Sequence, residues 1–153
     1  MSPGAIPIGG DDAAFELKRL LVEFLRERGY EVRDFGCHSP DPVDYPDVAV
    51  AVAEAVARGE HDRAILVCGT GIGMEIAANK VPGVRAALCH DVHSASRARR
   101  SNDAQVLTMG ARVIGVELAK RIVDEWLHAE FGGGRSAGKV AKLAELDRRY
   151  RKA

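Results

Sequence analysis

The sequence is poor in cysteine and contains no long hydrophobic run. Its three cysteines, Cys37, Cys68 and Cys89, lie far apart and form no C-x-x-C pair. This usage argues against a disulfide framework or a cysteine-rich zinc site and favours free thiols in a reducing cytoplasm. The N-terminus lacks the basic and apolar regions of a signal peptide, and no stretch approaches the roughly eighteen apolar residues of a membrane span. We therefore expect a cytoplasmic protein that does not cross a membrane.

The chain also lacks an excess of charge of either sign. Lys and Arg together number 22, and Asp and Glu together number 22. No broad electrostatic attraction to nucleic acid or to anionic lipid is therefore expected. The histidines have no metal-ligand spacing with carboxylates or cysteines, so we do not expect a zinc or iron site. No other cofactor is expected. Any anion that the protein binds must be held by a local site.

Hydrophobic periodicity predicts a regular alternation of strands and helices. Apolar runs predict strands at 5–8, 30–35, 63–68, 84–89 and 104–108. Amphipathic patterns predict helices at 15–28, 47–58, 92–100 and 116–130, and one more that runs from the glycine-rich turn through residue 79. This order indicates a single α/β domain over residues 1–153, with a parallel sheet covered on both faces.

A terminal helix is predicted at 136–151. Such a helix often packs on a partner subunit, so at least a homodimer is expected.

The segment from Cys68 to Gly73, Cys-Gly-Thr-Gly-Ile-Gly, is the most informative in the chain. It follows an apolar strand and opens a helix, where inward-facing amides and the helix dipole favour an oxyanion. The same features stabilise a thiolate, so Cys68 is a candidate base or nucleophile, with a buried cysteine that only fills space as an equal alternative. Met74 occupies the third glycine position of a dinucleotide fingerprint, and no Gly-Lys-Ser/Thr of an NTPase loop follows.

Charged residues at other predicted strand ends are further candidates. Asp11 and Asp12 follow the first strand, where a carboxylate can bind sugar hydroxyls, although a helix N-cap is the favoured interpretation for such residues. Arg112 comes shortly after Gly110, and Arg135 follows a run of glycines. Each arginine can reach a phosphate or remain a solvated surface residue, and the residues alone leave this open.

Several short motifs span nearly the whole chain. They are Asp44-Tyr45-Pro46, the run from Cys68 to Gly73, Ile76-Ala-Ala-Asn-Lys80, Ser94-Ala95, Asn102-Asp103, Gly110-Ala-Arg112-Val-Ile-Gly115 and Gly134-Arg135. Together they resemble the family of ribose-5-phosphate isomerase B and the galactose-6-phosphate isomerase subunits. The segments at 90–95, 101–105 and 134–138 are also similar to the erythrulose-4-phosphate isomerase branch of that family.

The resemblance implies an α/β/α sandwich with a five-stranded, Rossmann-like parallel sheet and an extra C-terminal helix. It implies a homodimer with active sites shared between subunits, and it leaves open whether two such dimers form a tetramer. It further implies a metal-free isomerase that moves a proton between carbons 1 and 2 of a phosphorylated sugar through a cis-enediol.

The resemblance also assigns roles to individual residues. Cys68 is the base, and Thr70 with the neighbouring amides forms a cradle for the enediolate oxygen. The substrate-binding residues are expected to be Asp11, Asp12, Tyr45, Gly69, Gly71, Ile72, Gly73 and Asn102, and the phosphate-binding residues Arg112, Arg135 and Lys139.

The sequence departs from the family's usual pattern where Asp12 and Ser101 replace histidines and where Lys139 replaces an arginine, which keeps the charge but loses the bidentate fork. The histidine missing at position 101 is the one credited with opening the sugar ring. Ribose 5-phosphate needs that help, whereas a tetrose 4-phosphate has no free hydroxyl with which to close a five-membered ring. Ribose 5-phosphate and D-erythrulose 4-phosphate both remain expected substrates, and the chemistry favours the tetrose. The alternative function is a non-catalytic phosphometabolite- or nucleotide-binding module.

Overall fold

The computed structural model describes residues 4–151, which form alternating parallel strands and helices. The strands are β1 (Ile6–Gly10), β2 (Val32–Asp34), β3 (Ala64–Cys68), β4 (Ala86–Leu88) and β5 (Val106–Gly110). The helices are α1 (Phe15–Glu27), α2 (Tyr45–Ala57), α3 (Ile72–Ala78), α4 (Val92–Arg100), α5 (Val116–His128) and α6 (Ala137–Tyr150). Within residues 4–151, no helix has both the length and the apolar character needed to cross a membrane.

The strands form one five-stranded parallel sheet in the order β2-β1-β3-β5-β4. β3 lies at the centre and pairs with β5, which brings Cys68 opposite Gly110. One face of the sheet is covered by α1, α4 and α5, whose core includes Leu21 and Trp126. The other face is covered by α2 and α3, whose core includes Val52 and Met74. The predicted α/β/α sandwich is therefore confirmed.

Some elements begin or end at residues other than those predicted. β1 continues through Gly10 and β5 through Gly110, two residues beyond the expected ends in each case. In β1 the glycines are explained by packing, because a Cβ at Gly9 would lie 2.6 Å from Val48 Cγ1 of α2. α2 begins at Tyr45, earlier than predicted, because the proline that follows fits the first turn of a helix.

The sheet has a carboxyl edge and an amino edge, which lie at opposite ends of its parallel strands. The carboxyl edge comprises the ends of the strands and the segments that directly follow them, including the turns after Gly10, Cys68 and Gly110. The amino edge comprises the segments that lead into the strands. In parallel sheets, ligand sites form outside the carboxyl edge.

α6 packs on the surface of the rest of the domain, and none of its residues is buried. Asp147 accepts a hydrogen bond from the Gly83 amide at 2.6 Å, which attaches the last turns of the helix to the segment before β4. Its apolar residues Leu143, Leu146 and Tyr150 remain exposed. An open groove of about 1050 Å³ separates α6 from α3 and β4. α6 therefore occupies nearly the predicted range and presents an uncovered apolar stripe.

Candidate active site

Cys68 is the last residue of the central strand β3 and begins the Cys68 loop, residues 68–73. It is buried, with 4% of its surface exposed. The Gly71 N–H group donates a hydrogen bond to the Cys68 sulfur at 3.1 Å. A thiolate accepts such a bond more strongly than a neutral thiol does. The structure thus places a buried thiol beside a backbone donor at the carboxyl edge, where the sequence led us to expect it.

The Cys68 loop is packed so tightly that neighbouring glycines leave no room for side chains. Gly71 has a φ angle of +79°, and a Cβ added to it would lie 2.8 Å from the carbonyl carbon of Met109. A Cβ on Gly110 would lie 2.5 to 2.7 Å from the backbone of Thr70. Backbone atoms cannot move aside as flexible side chains do. The position of the loop is therefore fixed by contact with the end of β5.

The turn at residues 110–112 also attaches to the Cys68 loop through hydrogen bonds. Ala111 N–H donates to the Cys68 carbonyl and Arg112 N–H donates to the Gly69 carbonyl, each at 2.9 Å. The guanidinium of Arg112 reaches back over Gly69, with Nη1 lying 3.4 Å from where a Cβ on that glycine would be. A cationic group therefore lies over the loop that carries the thiol, in a position to attract an anion.

Asp11 caps the short 3-10 turn that follows β1. Its Oδ1 accepts a hydrogen bond from Ala14 N–H at 3.2 Å, which confirms the cap interpretation. Burial raises the pKa of Asp11 above its usual value, and this effect is opposed by the bond from Ala14 and by the positive charge of Arg112. The carboxyl group is therefore both a local cap and a neighbour of the arginine that overlies the Cys68 loop.

Asp12 and Tyr45 close the same edge from the side of α2. The Asp12 carboxylate accepts a hydrogen bond from Val43 N–H at 3.1 Å, which fixes the loop leading into that helix. At the start of α2 the ring of Tyr45 lies against the Cys68 loop, since a Cβ added to Gly73 would be 2.5 Å from ring carbons. Both predicted substrate-binding residues therefore lie at the carboxyl edge.

The other two cysteines have environments that disfavour a thiolate. All three cysteines are buried free thiols. Burial, with the nearby charges of Asp91 and Glu75, raises the pKa of Cys89 to about 12. Burial also raises the pKa of Cys37. Both thiols therefore remain protonated near neutral pH, which makes them poor bases and nucleophiles.

The remaining predicted site residues lie at the amino edge, away from Cys68 in the same chain. Asn102 follows α4, and its carbonyl accepts a bond at 3.3 Å from Arg85, the residue that leads into β4. Gly132 N–H donates to the carbonyl of Arg100 at 3.1 Å, so the segment leading to Arg135 begins at this edge too. At about 3.3 Å per residue, a five-residue strand separates the two edges by roughly 15 Å. Lys139 continues from this segment in the first turn of α6.

A model of the ribose/galactose isomerase family matches residues 6–143 of this chain. The chain belongs to the ribose/galactose isomerase family. The match includes the Cys68 loop, Arg112, Asn102 and Arg135, so both groups of predicted site residues fall inside the family region.

Relatives within the ribose/galactose isomerase family are similar over almost their full length. D-erythrulose-4-phosphate isomerase of Pectobacterium atrosepticum is 55% identical over 143 residues, covering 91% of this chain and 92% of the relative. Ribose-5-P isomerase B of Listeria innocua is 50% identical over 146 residues, covering 95% and 99%. The structure of Clostridium thermocellum ribose-5-phosphate isomerase B superposes with a TM-score of 0.93 at 53% identity, covering 95% of this chain and 99% of that one.

His90 and Glu75 form hydrogen bonds that sequence reasoning missed. His90 Nε2 accepts a hydrogen bond from Gly110 N–H at 2.9 Å, and a Glu75 carboxylate oxygen accepts one from Leu88 N–H at 3.0 Å. These pairs join residues that are far apart in the sequence, and no spacing motif signals them. Among residues 4–151, no three His, Cys, Asp or Glu side chains are grouped as a metal site would require.

At position 101 this chain has a serine whose hydroxyl is already engaged by a neighbouring side chain of the same chain. The Ser101 hydroxyl lies at the amino edge and accepts a hydrogen bond from the guanidinium of Arg97. A serine has no acid or base comparable to imidazole near neutral pH. Position 101 of this chain therefore supplies no acid–base group that could act near neutral pH.

Proposed function

We propose that this chain is an aldose–ketose isomerase of a small sugar phosphate and that Cys68 moves the proton. The observation that carries the proposal is the Cys68 sulfur, held at the carboxyl end of the central strand with the Gly71 amide donating to it. Its membership of the ribose/galactose isomerase family supports the reaction class. A cytoplasmic location stays a prediction from the sequence.

The proposed reaction transfers one carbon-bound proton between neighbouring carbons. The Cys68 thiolate removes the proton from carbon 2 of the open-chain aldose, and the electrons move into the carbonyl to form a cis-enediolate. The thiol then returns the proton to carbon 1, while a hydroxyl proton moves from oxygen 2 to oxygen 1, which leaves the ketose. Thr70 and the amides from Gly69 to Gly73 stabilise the charged oxygen. A positioned base contributes about 100- to 10,000-fold to such a step, and an oxyanion donor contributes a similar factor.

The proposed binding groups divide between the sugar and its phosphate. Asp11, Asp12 and Tyr45 lie at the edge where the sugar would enter, and Arg112 supplies a positive charge there. Asn102, Arg135 and Lys139 are proposed as the contribution of a second subunit to substrate hydroxyls and phosphate, because the topology separates them from Cys68 within one chain.

Two substrates are supported by the relatives. One relative is named for D-erythrulose 4-phosphate and another for ribose 5-phosphate, at 55% and 50% identity to this chain. Ser101 favours the four-carbon sugar, because that substrate has no five-membered ring to open. We therefore propose D-erythrulose 4-phosphate as the preferred substrate and ribose 5-phosphate as the poorer one.

The experiment that tests the proposed function compares sugar phosphates of four, five and six carbons with the same purified protein. We expect NMR in deuterated water to show exchange at carbon 1 or 2 together with isomerisation, faster with the tetrose. Ribose turnover equal to or above tetrose turnover would overturn the substrate preference. Binding of sugar phosphates without proton exchange would instead identify a non-catalytic binding module.

We further propose a homodimer whose active sites each draw residues from two subunits. A twofold dimer repeats the same interface on both chains, so one chain's carboxyl edge can meet its partner's amino edge twice. The uncovered apolar stripe of α6 and the adjoining groove of about 1050 Å³ support a partner that packs at this end of the molecule. A tetramer of such dimers is compatible with the same arrangement.

Complementation between two inactive variants tests the shared site. Co-expression of Cys68→Ala and Arg135→Ala chains should restore about a quarter of wild-type activity, because half of the dimers are mixed and each mixed dimer has one intact site. The measurement is the turnover of the mixture against that of each variant alone. Cys68→Ala with Arg112→Ala is the matched control, since both residues lie at the carboxyl edge and no intact site can form. Failure of the first pair to recover activity would show that each subunit holds a complete site.

A further inference from the structure

His90 makes a contact that extends the sheet beyond the end of an edge strand. The last backbone hydrogen bond at the β4–β5 pair runs from Cys89 N–H to the Thr108 carbonyl, at 3.1 Å. Two residues further along β5, Gly110 N–H donates to the His90 ring nitrogen Nε2 at 2.9 Å instead of to a strand carbonyl. A ring nitrogen that accepts a hydrogen bond carries no proton, so the proton of the neutral ring lies on Nδ1.

The residue that His90 holds is directly connected to the Cys68 loop. Gly110 packs against the Thr70 backbone with no space for a Cβ. The next amide, that of Ala111, donates to the Cys68 carbonyl at 2.9 Å. Any shift of Gly110 therefore moves the atoms that fix the carbonyl of Cys68 and the backbone of Thr70.

We propose that His90 is a positioning residue that fixes the Cys68 loop through the backbone of Gly110. This inference rests on the proposed function in that Cys68 is taken as the base. Nε2 is occupied by the Gly110 amide, which leaves His90 no free basic nitrogen with which to open a sugar ring. Its role is to accept the hydrogen bond from Gly110 N–H that no carbonyl of β4 accepts. This bond keeps the turn at residues 110–112 against the Cys68 loop.

The test compares two substitutions that differ in hydrogen-bonding capacity. His90→Gln keeps an acceptor at about the reach of Nε2, whereas His90→Leu removes the acceptor and retains a similar volume. We expect His90→Leu to lower kcat about tenfold or more, because small misplacements of a catalytic group have large effects on rate, and His90→Gln to retain at least about a third of wild-type kcat. His128→Leu, which removes an exposed imidazole at the end of α5, is the control and should retain wild-type kcat.

Two further measurements report on the loop without requiring isomerase activity. Hydrogen exchange at the Gly110 amide should be at least about tenfold faster in His90→Leu than in wild type or His90→Gln. Alkylation of Cys68 by iodoacetamide, followed by peptide mass spectrometry, should also be several-fold faster in His90→Leu, because the buried thiol becomes accessible. Equal behaviour of the Gln and Leu variants would overturn the proposal. If wild type isomerises no sugar phosphate, the proposed function fails, while exchange and alkylation still decide the role of His90.

Discussion

Cys68→Ala is expected to lower the turnover number by at least about 100-fold while the protein keeps its fold, because a positioned base contributes that much. Alanine removes the sulfur that accepts the Gly71 amide and fills most of the same space. The side chain is buried at the end of β3, so the substitution leaves only a small cavity. Steady-state kinetics on the preferred sugar phosphate, with circular dichroism as a check on folding, measure this effect.

Cys89→Ala is the matched control for the loss of a buried thiol. Cys89 is also buried, and its pKa of about 12 keeps it protonated near neutral pH. We expect this variant to retain wild-type turnover and to be alkylated at Cys68 at the wild-type rate. A Cys68→Ala protein with more than about a tenth of wild-type turnover would exclude Cys68 as the base. Glu75 would then be tested next, although its carboxylate already accepts a hydrogen bond from Leu88 N–H.

Gly110→Ala is expected to reduce turnover by about 100-fold or more, although residue 110 has no functional group that could contact the substrate. The added Cβ would lie 2.5 to 2.7 Å from backbone atoms of Thr70, so the Cys68 loop must move away from β5. Displacement on that scale separates the base from the reacting carbon. The expected pattern is a large loss of kcat with a smaller change in melting temperature, measured by kinetics and thermal unfolding.

Gly115→Ala provides the control for the glycine substitution itself. It lies shortly after the same turn, and a Cβ there meets no atom within 4 Å. Its φ of −79° is accessible to alanine, so the variant should be nearly as active as wild type. Wild-type turnover in Gly110→Ala would show that the Cys68 loop tolerates displacement, and would contradict the tight packing on which the expectation rests.

The sequence was sufficient to predict the alternation of strands and helices, because hydrophobic periodicity encodes it. It was also sufficient to make Cys68 and Arg112 candidates, because both lie at the ends of predicted strands. An apolar strand followed by alternating glycines indicates a tight turn into a helix, and the structure has that turn. It was not sufficient to place Asn102 and Arg135 relative to Cys68. Their separation depends on the order of the strands and on the direction of each helix across the sheet, which no local pattern specifies.

Contacts between distant backbone groups and side chains were also beyond sequence reasoning. No motif marks His90 in the sequence, and its hydrogen bond to Gly110 depends on β4 ending two residues before it. Asp12 was expected to bind substrate, yet its carboxylate also accepts a hydrogen bond from the amide of Val43, 31 positions further along the chain. Such pairs arise from tertiary packing and leave no periodic signature in the chain.

The lengths of the strands have a consequence for the reversibility of the proposed homodimer. The sheet ends on both sides in strands of three residues, β2 and β4, whereas the strands between them have five. Short outer strands offer few unpaired backbone groups on which another chain can add a strand. If the proposed homodimer dissociates on dilution, we therefore expect single subunits that are inactive, that do not add strands to one another through these edges, and that recombine when the concentration rises.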